Sequence, residues 1–454
     1  MIGAYPGRSS GGRRPRIDGG GTVVAPVRLA DVSYVTVEDL HLTNASDPAG
    51  IHRGLYFTSQ EAPVRGVTVR GLEVSDVDSN NSFTGGKQGG GIVGLALGPA
   101  GRFSGVLIED NRIHDVSRQA ITVYGTATAG RPPATSPWPA ASTGVVIQGN
   151  HAWRIEGDGI VTLGTDGAVL QGNTVAEANL AGYDWLKPNR NCAAGIWAWN
   201  ANNTVIQHNV VRDMVFGPST VPGALNGCDG TAFDADYNQD GTIIQYNLSY
   251  DNAGGFILLC TDTAPHRVDV RYNLSVDDGA TFNPAPCEVI IEPETNNLSG
   301  IRMYNNTIVA PTPRVTIELE EWLAATADPL YGAFEFENNI VYATSPAAPD
   351  HFFSCGNHCT NNLFFGLPAP PTATASVTAD PGFVGPPVLR SRPRPGPRAF
   401  RLGPRSPAAG AGVAIESGFP TAASRDYFGR TVREPPSIGF SEAVGSGRGR
   451  GPDS

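Results

Sequence analysis

The chain has 454 residues, 17% of them charged, and a formal net charge of −11 at pH 7. This acidic balance weighs against nucleic acid and anionic membrane surfaces as partners, because both bind to basic patches. No apolar run is long enough to predict a membrane-spanning helix, and we expect a monomer.

The N-terminal stretch already shows strand-like alternation. The chain begins Met1-Ile-Gly-Ala-Tyr-Pro-Gly, with no charged region leading into an apolar stretch, so no signal peptide is recognisable. Alternating apolar residues follow in VTVEDL, which ends at Leu40, and in VTVRGL, which ends at Leu72. Alternation with a period of two predicts strands and not helices.

From about residue 106 onward, a hexapeptide of the form apolar-x-apolar-x-x-Asn repeats along the chain. Its copies lie 23 to 39 residues apart, a spacing typical of proteins built from stacked supersecondary units. The repeat therefore predicts a solenoid in which these asparagines form one column. The asparagines that end the clearest copies are Asn111, Asn150, Asn173, Asn209, Asn247, Asn273, Asn306 and Asn339, and Asn362 is a further candidate.

A second strand signal lies between successive hexapeptides, as in AITVY at 120–124, GIWAW at 195–199 and GTAFDAD at 230–236. Two or three short strands per repeat describe an all-β fold, a single-stranded parallel β-helix, whose coils are about 4.8 Å apart. An Asn at one turn position fits this fold, because its amide can bond the turn backbone and the Asn of the next coil.

The repeat resembles the right-handed parallel β-helix proteins of the pectate lyase type over roughly residues 30 to 370. The resemblance implies a secreted, polysaccharide-active enzyme. On this basis we expect a partial N-terminal cap or first coil at 1–19, the β-helix at 20–380, an extended C-terminal segment packing on the helix end at 381–444, and a disordered tail at 445–454. We also expect that a cap and an export signal precede the present start.

Six cysteines agree with export, since disulfides persist in oxidising compartments. Cys192 and Cys228 precede equivalent strands of consecutive coils, which places their Cα atoms roughly 5 Å apart, within bridging distance. Cys260 with Cys287, and Cys355 with Cys359, are then the remaining pairs; both are plausible and neither is fixed by the sequence.

The candidate site lies on the outward residues of two neighbouring strands. If Ile196 and Ala198 point inward, Trp197 and Trp199 point outward; on the next coil Asp234 and Asp236 do the same. Glu292, two coils further on, completes the proposed catalytic set of Asp234, Asp236 and Glu292. Aromatic rings stack on sugars, and paired carboxylates supply the acid, base or nucleophile of glycoside hydrolysis.

Other residues are expected to bind substrate around this column. Tyr237 follows Asp236, and Glu318 lies on a later coil. Lys187 and Arg190 belong to the long connection 174–194, which together with 210–228 should wall the groove. The alternative interpretation is that these carboxylates only solvate an exposed β surface. Asp158, just before an equivalent strand, is expected to have a turn role.

A glycoside hydrolase acting on a polysaccharide or oligosaccharide is the favoured function, with no cofactor required. A polysaccharide lyase, using Lys187 or Arg190 as base and calcium, is the second hypothesis, and a non-catalytic glycan-binding protein is the third. Calcium is possible because Asp236, Asn238 and Asp240 match the first half of an EF-hand-type loop. Position twelve of that loop is Asn247, which the asparagine column already uses.

Overall fold

The computed structural model describes most of the chain, namely residues 1–3, 14–45, 50–80, 87–125, 141–181, 192–215, 229–261, 267–279, 289–293, 300–311, 315–317, 335–345, 355, 358–385, 387, 394–415 and 423–444. Every structural statement below concerns these residues. Among them, no helix is long and apolar enough to cross a membrane.

Three long sheets, which we name A, B and C, run side by side along the molecule. Sheet A contains β1 (Ile2–Gly3), β4 (Val35–Glu38), β7 (Val64–Arg70), β10 (Phe103–Glu109), β13 (Ser142–Gln148), β16 (Thr165–Asp166), β17 (Val169–Gln171), β20 (Ala201–Asn202), β21 (Val205–Gln207), β24 (Gln239–Gln245), β27 (Arg267–Arg271), β30 (Ile301–Tyr304), β33 (Glu335–Glu337) and β35 (His358–Thr360).

Sheet B contains β2 (Arg16–Asp18), β5 (His41–Asn44), β8 (Glu73–Val77), β11 (Arg112–Val116), β14 (His151–Ile155), β18 (Thr174–Ala176), β22 (Val210–Arg212), β25 (Leu248–Tyr250), β28 (Leu274–Val276), β31 (Thr307–Ala310), β34 (Ile340–Ala343) and β36 (Leu363–Phe365).

Sheet C contains β3 (Val27–Ala30), β6 (Arg53–Ser59), β9 (Gly90–Ala96), β12 (Gln119–Tyr124), β15 (Ile160–Leu163), β19 (Ile196–Trp199), β23 (Phe233–Ala235), β26 (Ile257–Thr261), β29 (Val289–Pro293) and β32 (Val315–Ile317). The strands of each sheet pair in parallel with their equivalents one coil away. The parallel β-helix predicted from the sequence is confirmed.

One continuous apolar core fills the space between the sheets. It is built from alternate residues of each strand, such as Ile147 of sheet A, Val175 of sheet B and Ile196 of sheet C, all fully buried. Because the side-chain period of a strand is two, the intervening residues lie on the outer faces of the sheets.

The predicted asparagine column is confirmed from Asn111 to Asn362. The Nδ2 of each Asn donates to the Oδ1 of the next, at 2.9–3.2 Å, and the backbone N–H of each donates to that same Oδ1. Nδ2 also donates to a backbone carbonyl of the preceding coil, as from Asn247 to Ile206. These side chains are at most 1% exposed, so the column satisfies buried polar groups at every turn.

A second buried polar column ends in a carboxylate. The amide of Asn252 donates to Oδ1 of Asp278 at 2.8 Å, as does its backbone N–H at 3.0 Å. The hydroxyls of Ser249 and Ser275 donate to the other oxygen of Asp278. Burial raises the pKa of Asp278 to about 6, although the hydrogen bonds from the two serines and Asn252 lower it.

The C-terminal segment packs along the side of the β-helix. Phe400 and Phe440 contact Leu274, Val276 and Val309 on the outer face of sheet B. Leu402 and Ile438 cover Ile340 and Leu363 on later strands of the same face. The contacts thus extend over several coils.

Cys355 and Cys359 form a disulfide, which is one of the pairings that the sequence left open. Cys192 is also disulfide-bonded. Its predicted partner Cys228 lies outside the described residues, as does Cys287, so the pairings of Cys192 with Cys228 and of Cys260 with Cys287 stay predictions.

Candidate functional site

The outer face of sheet C carries Trp197 and Asp234, which the sequence predicts to lie on one outward face. Trp197 of β19 lies opposite Asp234 of β23 in the parallel ladder, and the column continues to Leu258. The flanking residues Ile196 and Phe233 belong to the apolar core. Asp234 and Trp197 therefore lie outside the core, on the face predicted from the alternation.

Trp197 is not an exposed platform, which corrects one expectation. It is only 2% exposed, and its indole N–H donates to Oδ1 of Asp158 at 2.9 Å. The Nζ of Lys87 lies 4.3 Å from the centre of its ring, in cation–π distance. Trp197 is thus held on its edge and on one face by protein groups, and Asp234 beside it is only 3% exposed.

Trp199 and Asp236 are more accessible. Trp199 follows Leu163 in the next outward column and is half-buried, and its indole N–H has no hydrogen-bond partner among the described residues. Asp236 comes directly after β23, where its backbone N–H donates to the carbonyl of Ala198 at 3.2 Å. The N–H of Tyr237 donates to Oδ1 of Asp236 at 2.7 Å. Both Asp236 and Tyr237 are half-buried.

Asp158 is a heavily bonded carboxylate at this face, and its expected turn role is only part of what it does. It is fully buried and accepts bonds from Lys87 at 3.0 Å on both oxygens, besides that from Trp197. The Nε2 of Gln119 donates to Oδ2 at 2.9 Å, and the backbone N–H of Ala194 donates to Oδ1 at 3.1 Å. No sequence pattern signalled this cluster, because Lys87 is 71 residues from Asp158.

Electrostatics connect Asp158 with the site residues. Tyr124 of β12 is buried in the column that runs through Leu163 to Trp199. Burial raises the pKa of the Tyr124 phenol well above its ordinary value; the charge of Arg118 lowers it, and those of Asp158 and Asp236 raise it. Burial lowers the pKa of Arg118, which is 1% exposed, while the charge of Asp158 raises it. The charges of Arg118, Asp158 and Asp236 therefore all act on the phenol of Tyr124.

The structure describes Glu292 in part and three other predicted site residues not at all. Glu292 lies in β29 opposite Cys260, and Leu259 just before Cys260 is the register partner of Ala235, so the backbone of Glu292 follows the column of Asp236 two coils on. Only the backbone of Glu292 is described. Lys187, Arg190 and Glu318 lie outside the described residues, so their roles stay predictions.

The proposed calcium ligands are divided between two sheets. Asp236 follows β23 of sheet C, whereas Asp240 lies in β24 of sheet A and forms an ion pair with Arg267. Asn238 between them has a positive φ of 58° and is buried. Within the described part of the chain, no three His, Cys, Asp or Glu side chains group as metal ligands. The calcium site therefore stays a prediction, and Asp240 is engaged elsewhere.

The chain is similar to known proteins in sequence and in structure. A lacto-N-biosidase of Bifidobacterium longum subsp. longum is 26% identical over 501 aligned positions, which cover 93% of this chain and 30% of the relative. The chain thus spans about a third of the length of that protein. No protein-family profile matches the chain.

Solved structures with the same fold include a GH136 lacto-N-biosidase from Eubacterium ramulus, with a TM-score of 0.54 and 21% identity. The match covers 71% of this chain and 56% of that one. The complex of XylC with xylose matches with a TM-score of 0.53 and 14% identity, covering 90% of this chain and 68% of the other. At these identities the structural matches support the fold.

Proposed function

We propose that the protein is a glycoside hydrolase that acts on oligosaccharides, with its active site on the outer face of sheet C. The observation that carries the proposal is the placement of Asp234 and Asp236 at the end of β23, beside Trp197 and Trp199. The 26% identity to a lacto-N-biosidase over 93% of the chain supports a hydrolase over the other classes. The disulfide between Cys355 and Cys359 supports a secreted protein.

The two carboxylates have different surroundings, and we assign them different roles. Asp234 is 3% exposed and lies between Trp197 and Leu258 in the ladder. We assign it as the general acid that protonates the leaving glycosidic oxygen. Asp236 accepts the N–H of Tyr237 and is half-buried, so it is the carboxylate that acts on the anomeric carbon directly or through water.

Trp199 provides the sugar contact in this proposal. Its ring is half-buried next to the position of Asp236, and we assign the exposed part of the ring to the apolar face of a sugar. We assign Trp197 a supporting role and not a sugar contact, because its own N–H is bonded to Asp158. If Trp199 binds the sugar, its substitution should raise KM more than the substitution of residues on other sheets does.

Incubation with a panel of glycans tests the proposal, beginning with substrates of lacto-N-biosidases and extending to neutral and uronic polysaccharides. We expect new reducing ends without an unsaturated uronate. Ultraviolet absorbance of an unsaturated uronate that requires calcium would instead establish the lyase. Binding of glycans with no cleavage across the whole panel would establish a glycan-binding protein. Either result contradicts the hydrolase.

A further inference from the structure

Lys87 reaches across the outer edge of sheet C from a distant part of the chain. It lies just before β9, yet its Nζ contacts Asp158, which precedes β15, and donates to the carbonyl of Cys192, before β19, at 2.8 Å. The sheet order places β12 between β9 and β15, so this single side chain links residues of three coils across a span of four. We name Lys87 and Asp158 the cross-coil pair.

The two charges of the cross-coil pair are largely removed from water. The Lys87 side chain is 12% exposed and that of Asp158 is 0% exposed. Taking both charges out of water opposes their mutual attraction, so a buried pair of this kind is weak evidence for stabilisation. What such a pair provides is a defined geometry for the groups that bond to it.

The groups that contact the cross-coil pair include Trp197, a residue of the proposed site. Oδ1 of Asp158 accepts the indole N–H of Trp197, and Lys87 lies over the ring of the same tryptophan. Trp197 is the register neighbour of Asp234, one coil away. Because neighbouring strands of a sheet are about 5 Å apart, a rotation of the Trp197 indole would change the surroundings of the Asp234 side chain.

We infer that the cross-coil pair positions the active site: Lys87 and Asp158 fix the Trp197 indole, and through it the carboxyl group of Asp234. Asp158 is a positioning residue and does not touch substrate. This inference rests on the proposed function for its effect on turnover, but not for its effect on Trp197. The two can therefore fail separately.

The experiment compares Lys87→Met, Lys87→Arg and Asp158→Asn with the full-length wild type. Lys87→Met removes the cation at similar length, and Lys87→Arg keeps it. Arg70→Met is the matched control, since Arg70 pairs with Glu38 on an exposed part of sheet A. The measurements are kcat and KM well below the melting temperature of each variant, and the indole ¹H–¹⁵N signals of protein labelled at tryptophan.

We expect Lys87→Met and Asp158→Asn to lower kcat roughly tenfold to a hundredfold, with KM changed much less, because small displacements of a reacting group have effects of this size. Lys87→Arg should restore most of the activity, and Arg70→Met should match the wild type. The signal of the Trp197 indole should shift in Lys87→Met and in Asp158→Asn. Trp197→Phe identifies that signal by removing it.

Wild-type kcat in both charge-removing variants would overturn the inference. So would a loss that merely follows the fraction of unfolded protein and disappears on cooling, since that is a stability effect. If the wild type cleaves no glycan at all, the proposed function fails. The cross-coil pair is then judged by the indole signal alone, and an unchanged Trp197 signal in Lys87→Met would overturn it.

Discussion

Replacing Asp278 by Asn should change how stability depends on pH. Asp278 is fully buried, and burial raises its pKa in the folded state to about 6, against 3.8 for an ordinary Asp. The folded protein therefore holds this proton at pH values where the unfolded chain has lost it. Stability from this group is fully present below about pH 3.8 and is lost as the pH rises through about 6.

The size of the effect follows from the shift. Each pKa unit corresponds to about 1.4 kcal/mol, so a shift of about two units costs about 3 kcal/mol at neutral pH. The asparagine of the variant would be uncharged, and its Oδ1 could accept the same two bonds from Asn252. Its amide nitrogen would meet the hydroxyls of Ser249 and Ser275, which can rotate to accept.

Urea unfolding of wild type and Asp278→Asn at a series of pH values from about 3.5 to 7.5 measures this. We expect the stability of the variant relative to wild type to rise by about 3 kcal/mol between the two ends of that range. Groups that titrate elsewhere in the chain affect both proteins and cancel in the difference. A difference that stays constant with pH would refute the reasoning, because Asp278 would then have the same pKa in both states.

Two further substitutions test the packing. Asn247→Ala should lower the free energy of unfolding by about 2–4 kcal/mol, because it leaves the N–H and amide of Asn209 without their acceptor; an unchanged urea transition would contradict the column's role. Phe440→Ala should cost about 3–5 kcal/mol of local stability. It removes a ring that packs against Tyr427 and Phe428, so limited proteolysis should cut the C-terminal segment faster. Equal cutting rates would count against docking through this residue.

The sequence was sufficient for the fold because its signals are local. The alternation that placed Trp197 and Asp234 on one outward column needs only a few neighbouring residues, and the register is as predicted. The asparagine column was recognisable for the same reason. Each Asn occupies the same place in a short pattern, and a stacked geometry then brings successive copies into hydrogen-bond distance.

The burial of the site could not be predicted, because it depends on residues far apart in the chain. Trp197 was expected to be an open platform, but Asp158 and Lys87 enclose it. Lys87 lies 105 residues before its other partner, Cys192. No spacing rule connects such residues. Asp240, likewise, matched a calcium loop by spacing, yet pairs with Arg267 of the next strand in sheet A.

Turnover by Asp236→Asn tests the central claim most directly, with Asp240→Asn as the control from the same coil. The substitution keeps the shape of the side chain and can still accept the N–H of Tyr237, so the melting temperature should stay close to that of wild type. Loss of a catalytic carboxylate should reduce kcat by about a thousandfold or more. Asp240→Asn removes the charge that pairs with Arg267 at a partly exposed position, and it should retain wild-type kcat. If Asp236→Asn cleaves glycans at the wild-type rate, the active site is not at the end of β23.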